Sequence, residues 1–469
     1  MGSRRYAVQV ETVLLYIVGI LVVLVGVAVS IGLHELGHLI PAKLFGVRVG
    51  QYMIGFGPTI FSRKKGETEY GIKAIPLGGY ISMAGMYPPK RAGEKSRTSG
   101  IDSFPLESEY ESVGSARRKN FFATMVQDAR TASEDAIPEG AENRVFYKLA
   151  VWKRIIIMFG GPAMNVVIAL VLLTVVLCGF GIQQLSTTVQ SVSVCALPAT
   201  SARQTCQAGD PAAPAAAAGV KVGDTVLSIN GAKITTWAQE TSVIQKLAGK
   251  TVPVVVLRNG KQLTLTATPA ASERYVLDSQ GKVAVDSSGK KITQDVGFMG
   301  IGPAPEIARQ PLTAVIPSLG QNIAGDFQII ANFPQRIAEV AQAAFTTQAR
   351  DPNGPVGVVG VGRMAGEIAS TTAVPWAERL SFLLSLVASL NVALFAFNMI
   401  PLLPLDGGHI IGAVWEGVRR FFAKLFKRRD PGPVDIARLV PLTFVVVIVL
   451  GATSLLLVYA DIVKPIQLQ

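Results

Sequence analysis

The run VLLYIVGILVVLVGVAVSIGLHELGHLIPAKL, Val13 to Leu44, decides how the rest of this chain is read. From Val13 to Leu33 it carries no charge, long enough for the roughly 20 helical residues that cross a hydrocarbon core of about 30 Å. It is too long for a signal peptide, and no small-residue cleavage site follows. Directly from this run comes His34-Glu35-Leu36-Gly37-His38. On a helix, positions i and i+4 share a face, so both imidazoles reach one metal ion, and zinc takes such nitrogens at about 2.0–2.1 Å. Glu35 then stands beside the metal as a base instead of a ligand. The competing reading, a solvated helix end, leaves ionisable groups against lipid without partners. The chain holds only three histidines, and the third is His409.

Working outward, three more stretches lack charge over a comparable length: Ile155 to Ile182, Leu380 to Leu405 and Leu439 to Ala460. Four spanning helices follow. The composition agrees, with 49% hydrophobic and 16% charged residues. The net charge of +12 does not call for nucleic acid, because Lys and Arg crowd two connections. One carries Arg63, Lys64, Lys65, Arg117, Arg118, Lys119, Lys153 and Arg154; the other carries Arg419, Arg420, Lys424, Lys427, Arg428 and Arg429. The positive-inside rule puts both on the cytoplasmic side, leaving both chain ends and the segment from about Gln183 to Glu378 outside. Arg4 and Arg5 run against that assignment.

In the outer segment, AAAAGVKVGDTVLSING from Ala215 to Gly231 ends on an Asn-Gly hairpin signal, and Val254 to Leu257 followed by Asn259-Gly260 repeats it. A small β-rich domain is expected, with a last strand near Gly297 to Ile301. No C-x-x-C spacing joins Cys178, Cys195 and Cys206, which argues against a thiolate zinc site. Cys195 and Cys206 can pair if their segment lies outside the cytoplasm. Asp326 to Gln348 has helical apolar spacing and lies either along the membrane surface or on the β domain.

A catalytic zinc needs a third protein ligand and an open position. No histidine follows the first motif closely, so the candidate is Asp406, in NMIPLLPLDGGH from Asn398 to His409. The first and third apolar runs are separated by one returning helix, run in one direction, and end at one depth. Pro401 and Pro404 break the third run before the aspartate. His409 is the rival ligand, although a Gly407-Gly408 turn is expected to carry it away.

HELGH, Gly161-Pro-Ala-Met-Asn165 and Asn398 to Asp406-Gly407, in order in three apolar runs, closely resemble the site-2 proteases, intramembrane zinc metallopeptidases. The likeness covers nearly the whole chain and is greatest for the bacterial group with an extracytoplasmic PDZ domain that cleaves membrane-bound anti-sigma factors. GVKVGDTVLSING resembles the PDZ domains of bacterial envelope proteases. The segment of Gly78, Gly79, Tyr80, Ile81, Ser82 and Met83 resembles that group's membrane re-entrant β-hairpin. This chain has room for one PDZ domain where the best-known relatives have two.

The resemblance implies a polytopic α-helical membrane protein with four transmembrane helices, a membrane re-entrant β-hairpin and an extracytoplasmic PDZ-like domain. It implies one zinc ion per chain on His34, His38 and Asp406, Glu35 as catalytic base, and Asn398 with the hairpin residues as substrate contacts. Asn165 and His409 are further possibilities, with Gly161 reserved for close helix packing. The implied location is the bacterial cytoplasmic membrane, with the active site toward the cytoplasm. The implied partners are the lipid bilayer, single-span membrane substrates such as anti-sigma factors, and a peptide on the PDZ domain, with remnant signal peptides as a further substrate class. The units are then 1–87 (first helix and hairpin), 88–150 (inner loop, partly disordered), 151–183 (second helix) and 184–305 (PDZ-like domain). They continue as 306–376 (amphipathic linker), 377–410 (third helix), 411–438 (basic loop) and 439–469 (fourth helix). Two readings from other classes are a membrane adaptor, which predicts eroded metal residues, and a zinc transporter, which predicts paired repeats.

Overall fold

The computed structural model describes residues 2–88, 121–135, 137–203, 205–276, 283–286, 289–352 and 354–466. The chain divides into two compact units, residues 1–180 with 311–469, and residues 181–310.

The first unit begins with α1 (Gly2–Leu44), which carries the apolar run and the histidine motif in one uninterrupted helix. A curled hairpin of β1 (Val49–Lys65) and β2 (Thr68–Met83) follows. Residues 51–54 of β1 pair with 79–82 on one side and with 69–72 on the other, while 61–65 fold back onto 68–72. The 79–83 end of β2 is thereby an edge, bonded to β1 alone among the described residues. Most of the segment for which disorder was expected, within 88–150, lies outside the described residues. Within that loop α2 (Phe121–Asp135) forms, joined to the chain before the fourth apolar run by an Arg130–Asp435 ion pair.

Helix α3 (Val151–Thr174) passes into a π-helical turn at Val175–Phe180. It meets α1 where two glycines face each other: a Cβ on Gly37 would lie 2.2 Å from the Gly160 carbonyl oxygen. Small residues are what let two membrane helices approach so closely.

The second unit is a β domain with strand order β10-β3-β4-β6-β7, formed by β3 (Ile182–Val192), β4 (Thr225–Ile229), β6 (Val252–Arg258), β7 (Lys261–Ala267) and β10 (Ile301–Ala308). The short β5 (Ala232–Lys233) pairs with β4, and β8 (Ala270–Tyr275) pairs separately with β9 (Thr293–Phe298). Two helices, α4 (Pro214–Ala217) and α5 (Trp237–Gln245), complete it. Both Asn-Gly pairs make the expected turns, with Asn230 and Asn259 at φ 50° and Gly231 and Gly260 at φ 77° and 76°. The core gathers Val189, Val226, Ile229, Ile244, Val254 and Val256. Gly297 to Ile301 is not one strand: Gly297 and Phe298 end β9, Met299 and Gly300 turn the corner, and Ile301 opens β10, which on β3 forms the edge. A cleft runs between α5 and this corner, lined by Trp237, Thr241, Ile244, Arg274, Phe298 and Ile301. Cys195 and Cys206 form a disulfide with Cα atoms 5.8 Å apart.

The chain returns to the first unit through α6 (Val315–Ala331) and α7 (Phe333–Phe345), broken where Pro334 enters the first turn of the second helix. Val315 and Leu319 join α3 and the third apolar helix, while Val340 and Ala344 meet Ala460 of the fourth. Next come α8 (Val358–Ser370), α9 (Trp376–Asn398), α10 (Asp406–Leu425) and α11 (Val440–Val463). Helix α8 was not legible as an element: it packs on α1 so closely that a Cβ on Gly19 would lie 2.3 Å from the Ala365 oxygen. Among the described residues, four helices are long and apolar enough to cross a membrane, within residues 10–44, 151–180, 376–398 and 436–463.

Two sequence expectations need correction here. The helix break expected from Pro401 and Pro404 is present but begins earlier than the third unit's bounds allowed, with α9 ending at Asn398, and Gly407 and Gly408 make no turn. Both sit in the first turn of α10, where a Cβ would come within 2.3 Å and 2.6 Å of the backbone of Ile400 and Leu403. Glycine is therefore demanded by the approach of the preceding loop, against its poor helix propensity. Residues 411–425 are accordingly helix instead of loop.

Candidate active site

Because α1 stays helical through residues 34–38, His34 and His38 stack on one side of it, with ring centroids 4.9 Å apart. Asp406, the first residue of α10, reaches both. Its Oδ2 lies 3.4 Å from His34 Nε2 and its Oδ1 3.4 Å from His38 Nε2, while the two Nε2 atoms are 3.3 Å apart. Four ligands set tetrahedrally around zinc at about 2.0–2.1 Å are separated by about 3.3 Å along each edge. The two imidazole nitrogens thus stand at the spacing of two tetrahedral corners, and each carboxylate oxygen of Asp406 stands at that spacing from one of them. Asp406 Oδ2 is buried without a hydrogen-bond partner, as expected of an atom meant for a metal. These residues fit zinc, and the remaining corner is left for water or substrate.

The far side of each ring is held by α3. His38 Nδ1 donates to the Ile157 carbonyl at 2.7 Å, and His34 Nδ1 lies 3.1 Å from the Asn165 amide. Asn165 is fully buried and its Oδ1 is otherwise unpartnered. A half-turn of the amide presents that oxygen to an Nδ1–H. Both Nε2 lone pairs then point to the metal position, which is how outer partners fix the tautomer of a ligating histidine. Gly161 shares the close α1–α3 packing that the sequence suggested, its Cα 3.0 Å from where a Cβ on Gly37 would lie, and it also makes room for the imidazoles. A Cβ on Gly161 would lie 2.2 Å from His38 Nε2 and 2.8 Å from His34 Nε2, so its missing side chain is the space the imidazoles occupy.

Glu35 is 8% exposed and faces the hairpin. A Cβ on Gly79 would come 3.0 Å from Glu35 Cγ, so the backbone at the exposed edge of β2 passes directly over the carboxylate side chain. The hairpin is fastened to α1 by Tyr52, whose hydroxyl donates to the Gly32 carbonyl at 2.6 Å. Of the other hairpin candidates, Tyr80 donates to Gln51 at 3.0 Å, and Ile81 and Ser82 continue the paired edge to Met83, which pairs with Val49. Gly78 takes φ 97°.

Asn398 ends α9, and no hydrogen bond among those described joins it to the three ligands. His409 is not among the groups that converge on the metal position. Burial pushes its imidazole down to about 4, and its ring stands 6.4 Å from that of Tyr87.

Sequence reading missed several positioning groups. Asn391 of α9 donates to Ser30 Oγ at 2.9 Å, tying α9 to α1 one turn before His34; a polar residue inside an apolar run was the available signal. Glu416, 1% exposed, pairs with Arg154 and accepts from the Val434 amide at 2.9 Å, clamping α10 to α3. The Ile157 carbonyl is a backbone atom, which no residue pattern reveals.

A profile of the peptidase family M50 matches residues 22–429. The zinc metalloprotease Rip1 of Mycobacterium tuberculosis is 30% identical over 464 residues, covering 97% of this chain and 100% of the relative. Rip1 of Mycolicibacterium smegmatis is 29% identical, covering 96% and 98%. Metalloprotease MmpA of Caulobacter vibrioides is 28% identical, covering 86% and 88%.

Proposed function

The chain belongs to peptidase family M50, the site-2 zinc metalloproteases, and from that premise we propose that it hydrolyses peptide bonds of single-span membrane proteins at the cytoplasmic side of a bacterial inner membrane. The observation that carries this reading is the trio His34, His38 and Asp406 gathered at zinc spacing, with Glu35 beside it, where the histidines and Glu35 sit on a helix long and apolar enough to span a bilayer.

Held by His34, His38 and Asp406, zinc would supply Lewis acidity and would lower the pKa of water toward about 7. Glu35 takes the proton of the attacking water and returns it to the departing amine. Asn165 and the Ile157 carbonyl hold the imidazoles still while charge develops, and Asn398 steadies the substrate carbonyl as its oxygen turns anionic.

A substrate helix hides its peptide bonds in internal hydrogen bonds and must be extended before it is cut. The 79–83 edge of β2, unpaired on one side and lying over Glu35, offers backbone partners to an added strand. The hairpin then acts at membrane depth, where irregular backbone is tolerated only against protein or water. The domain of residues 181–310 is read as a PDZ-like filter outside the cytoplasm, taking a peptide segment in the cleft beside edge strand β10. Anti-sigma factors already trimmed outside, and remnant signal peptides, are the substrate classes this design suits.

The test is Glu35→Gln in the full chain, reconstituted with a single-span substrate. Cleavage should vanish while zinc stays near one per chain. Retained cleavage removes Glu35 from the mechanism.

A further inference from the structure

Helix α10 presents a face that neither the metal position nor, among the described residues, the fold uses. Its inner side is fixed through buried Glu416, paired with Arg154 and, at 3.1 Å, with Arg420. Its opposite side carries Ile411, Trp415, Val418, Phe421, Phe422 and Leu425, steps of three and four residues that keep to one stripe of a helix. All six are exposed, Phe421 by 65% and Leu425 by 61%. Just beyond, Lys424, Lys427, Arg428 and Arg429 form a cationic cluster at the helix end.

We propose that this stripe lies in the cytoplasmic leaflet of an anionic membrane, with α10 parallel to the surface at the boundary of headgroups and acyl chains. Three observations favour lipid over other occupants. Helix α10 starts at Asp406, shortly after spanning helix α9 ends at Asn398, so it begins at the border of the bilayer. Its apolar face joins a polar flank bearing Arg419, Arg420 and Lys424, the division of an interfacial helix and not of a spanning one. The clustered cations complement anionic headgroups. The helix opens with a metal ligand, so its seat in the leaflet sets the depth at which Asp406 meets the histidines.

The inference rests on the chain being membrane-embedded and not on its chemistry, so its failure would leave zinc binding and cleavage by Glu35 as they stand. The experiment uses full-length chain carrying Cys178→Ser, with nitroxide on Phe421→Cys or, independently, on Leu425→Cys, and on Lys250→Cys of the β domain as the aqueous reference. Each is reconstituted in phosphatidylcholine vesicles and in vesicles of equal parts phosphatidylcholine and phosphatidylglycerol. At positions 421 and 425, collisions with dissolved oxygen should outnumber those with a water-soluble nickel chelate several times over, the reverse of position 250. The label should sit deeper in the anionic vesicles, and Lys424→Gln with Lys427→Gln and Arg428→Gln should abolish that difference. Nickel access equal to that of position 250 overturns the proposal. So does shielding from both reagents with dipolar broadening between labels, which would assign the face to a second copy of the chain. Depth unaffected by lipid charge overturns the anionic preference.

Discussion

Gly161→Ala adds one methyl group, and the geometry gives the size of its effect. The new carbon would lie 2.2 Å from His38 Nε2, 2.6 Å from Cε1 and 2.8 Å from His34 Nε2. Restoring ordinary contact near 3.4 Å drives the His38 ring back by about 1.2 Å. Two escapes are closed. Turning the ring breaks its 2.7 Å bond to the Ile157 carbonyl, and withdrawing α3 opens the Gly37–Gly160 contact. A zinc ligand tolerates displacement of about 0.2 Å. Zinc affinity should therefore fall at least as far as when an outer partner of a ligand is lost, about 100-fold, or about 2.7 kcal/mol. Chelator competition on the purified chain measures this, with circular dichroism to verify the helices. Gly179→Ala, with nothing within 4 Å of its Cβ, is the control and should bind zinc normally. Unchanged affinity in Gly161→Ala with an intact spectrum would refute the packing argument.

Asn165→Ala should lower zinc affinity by roughly 10- to 100-fold by freeing the His34 ring, whereas Asn165→Asp, which keeps an oxygen opposite Nδ1, should retain most of it; chelator competition separates the two. In the β domain, burial pushes the Glu240 carboxyl up to about 8, and neither oxygen has a hydrogen-bond partner. Its proton is held in the folded state and lost in the unfolded one above about 4.3. Domain stability should therefore decline as pH rises from there and level off above about 8, by a total on the order of 5 kcal/mol. Glu240→Gln should flatten that slope, read by hydrogen exchange on β4 and β6 in the full chain; equal slopes in both proteins would contradict it. Asp461→Ala removes the partner of Arg350, which is 4% exposed and 2.8 Å away. Breaking such a buried pair costs about 3–5 kcal/mol and should appear as faster exchange in α8 and α11; unchanged exchange there would count against it.

The parts of this protein that follow from local rules were readable in advance. The helical spacing of His34 and His38 and the unbroken apolar run before them depend on neighbouring residues only. Asp406 was reached by counting crossings, because two helices separated by one return end on the same side. What the chain hid depends on where other backbones pass. Gly407-Gly408 looked like a turn, yet the loop at Ile400 to Leu403 requires glycine inside a helix. Gly161 looked like helix packing alone, yet two imidazoles also fill the place of its side chain. Helix α8, VVGVGRMAGEIAS, has too many small residues to declare itself, and is fixed by the contact of Ala365 with Gly19. Gly297 to Ile301 is apolar enough for one strand, but Met299 and Gly300 turn a corner within it, between β9 and β10 of two sheets.

Zinc K-edge absorption of the purified full-length chain tests the central claim most directly. The account predicts one zinc per chain with two imidazole nitrogens and carboxylate and water oxygens at about 2.0–2.2 Å, lost in Asp406→Ala and kept in His409→Ala. A sulfur-containing shell, a third imidazole, or a chain that purifies without metal and takes up none would contradict it.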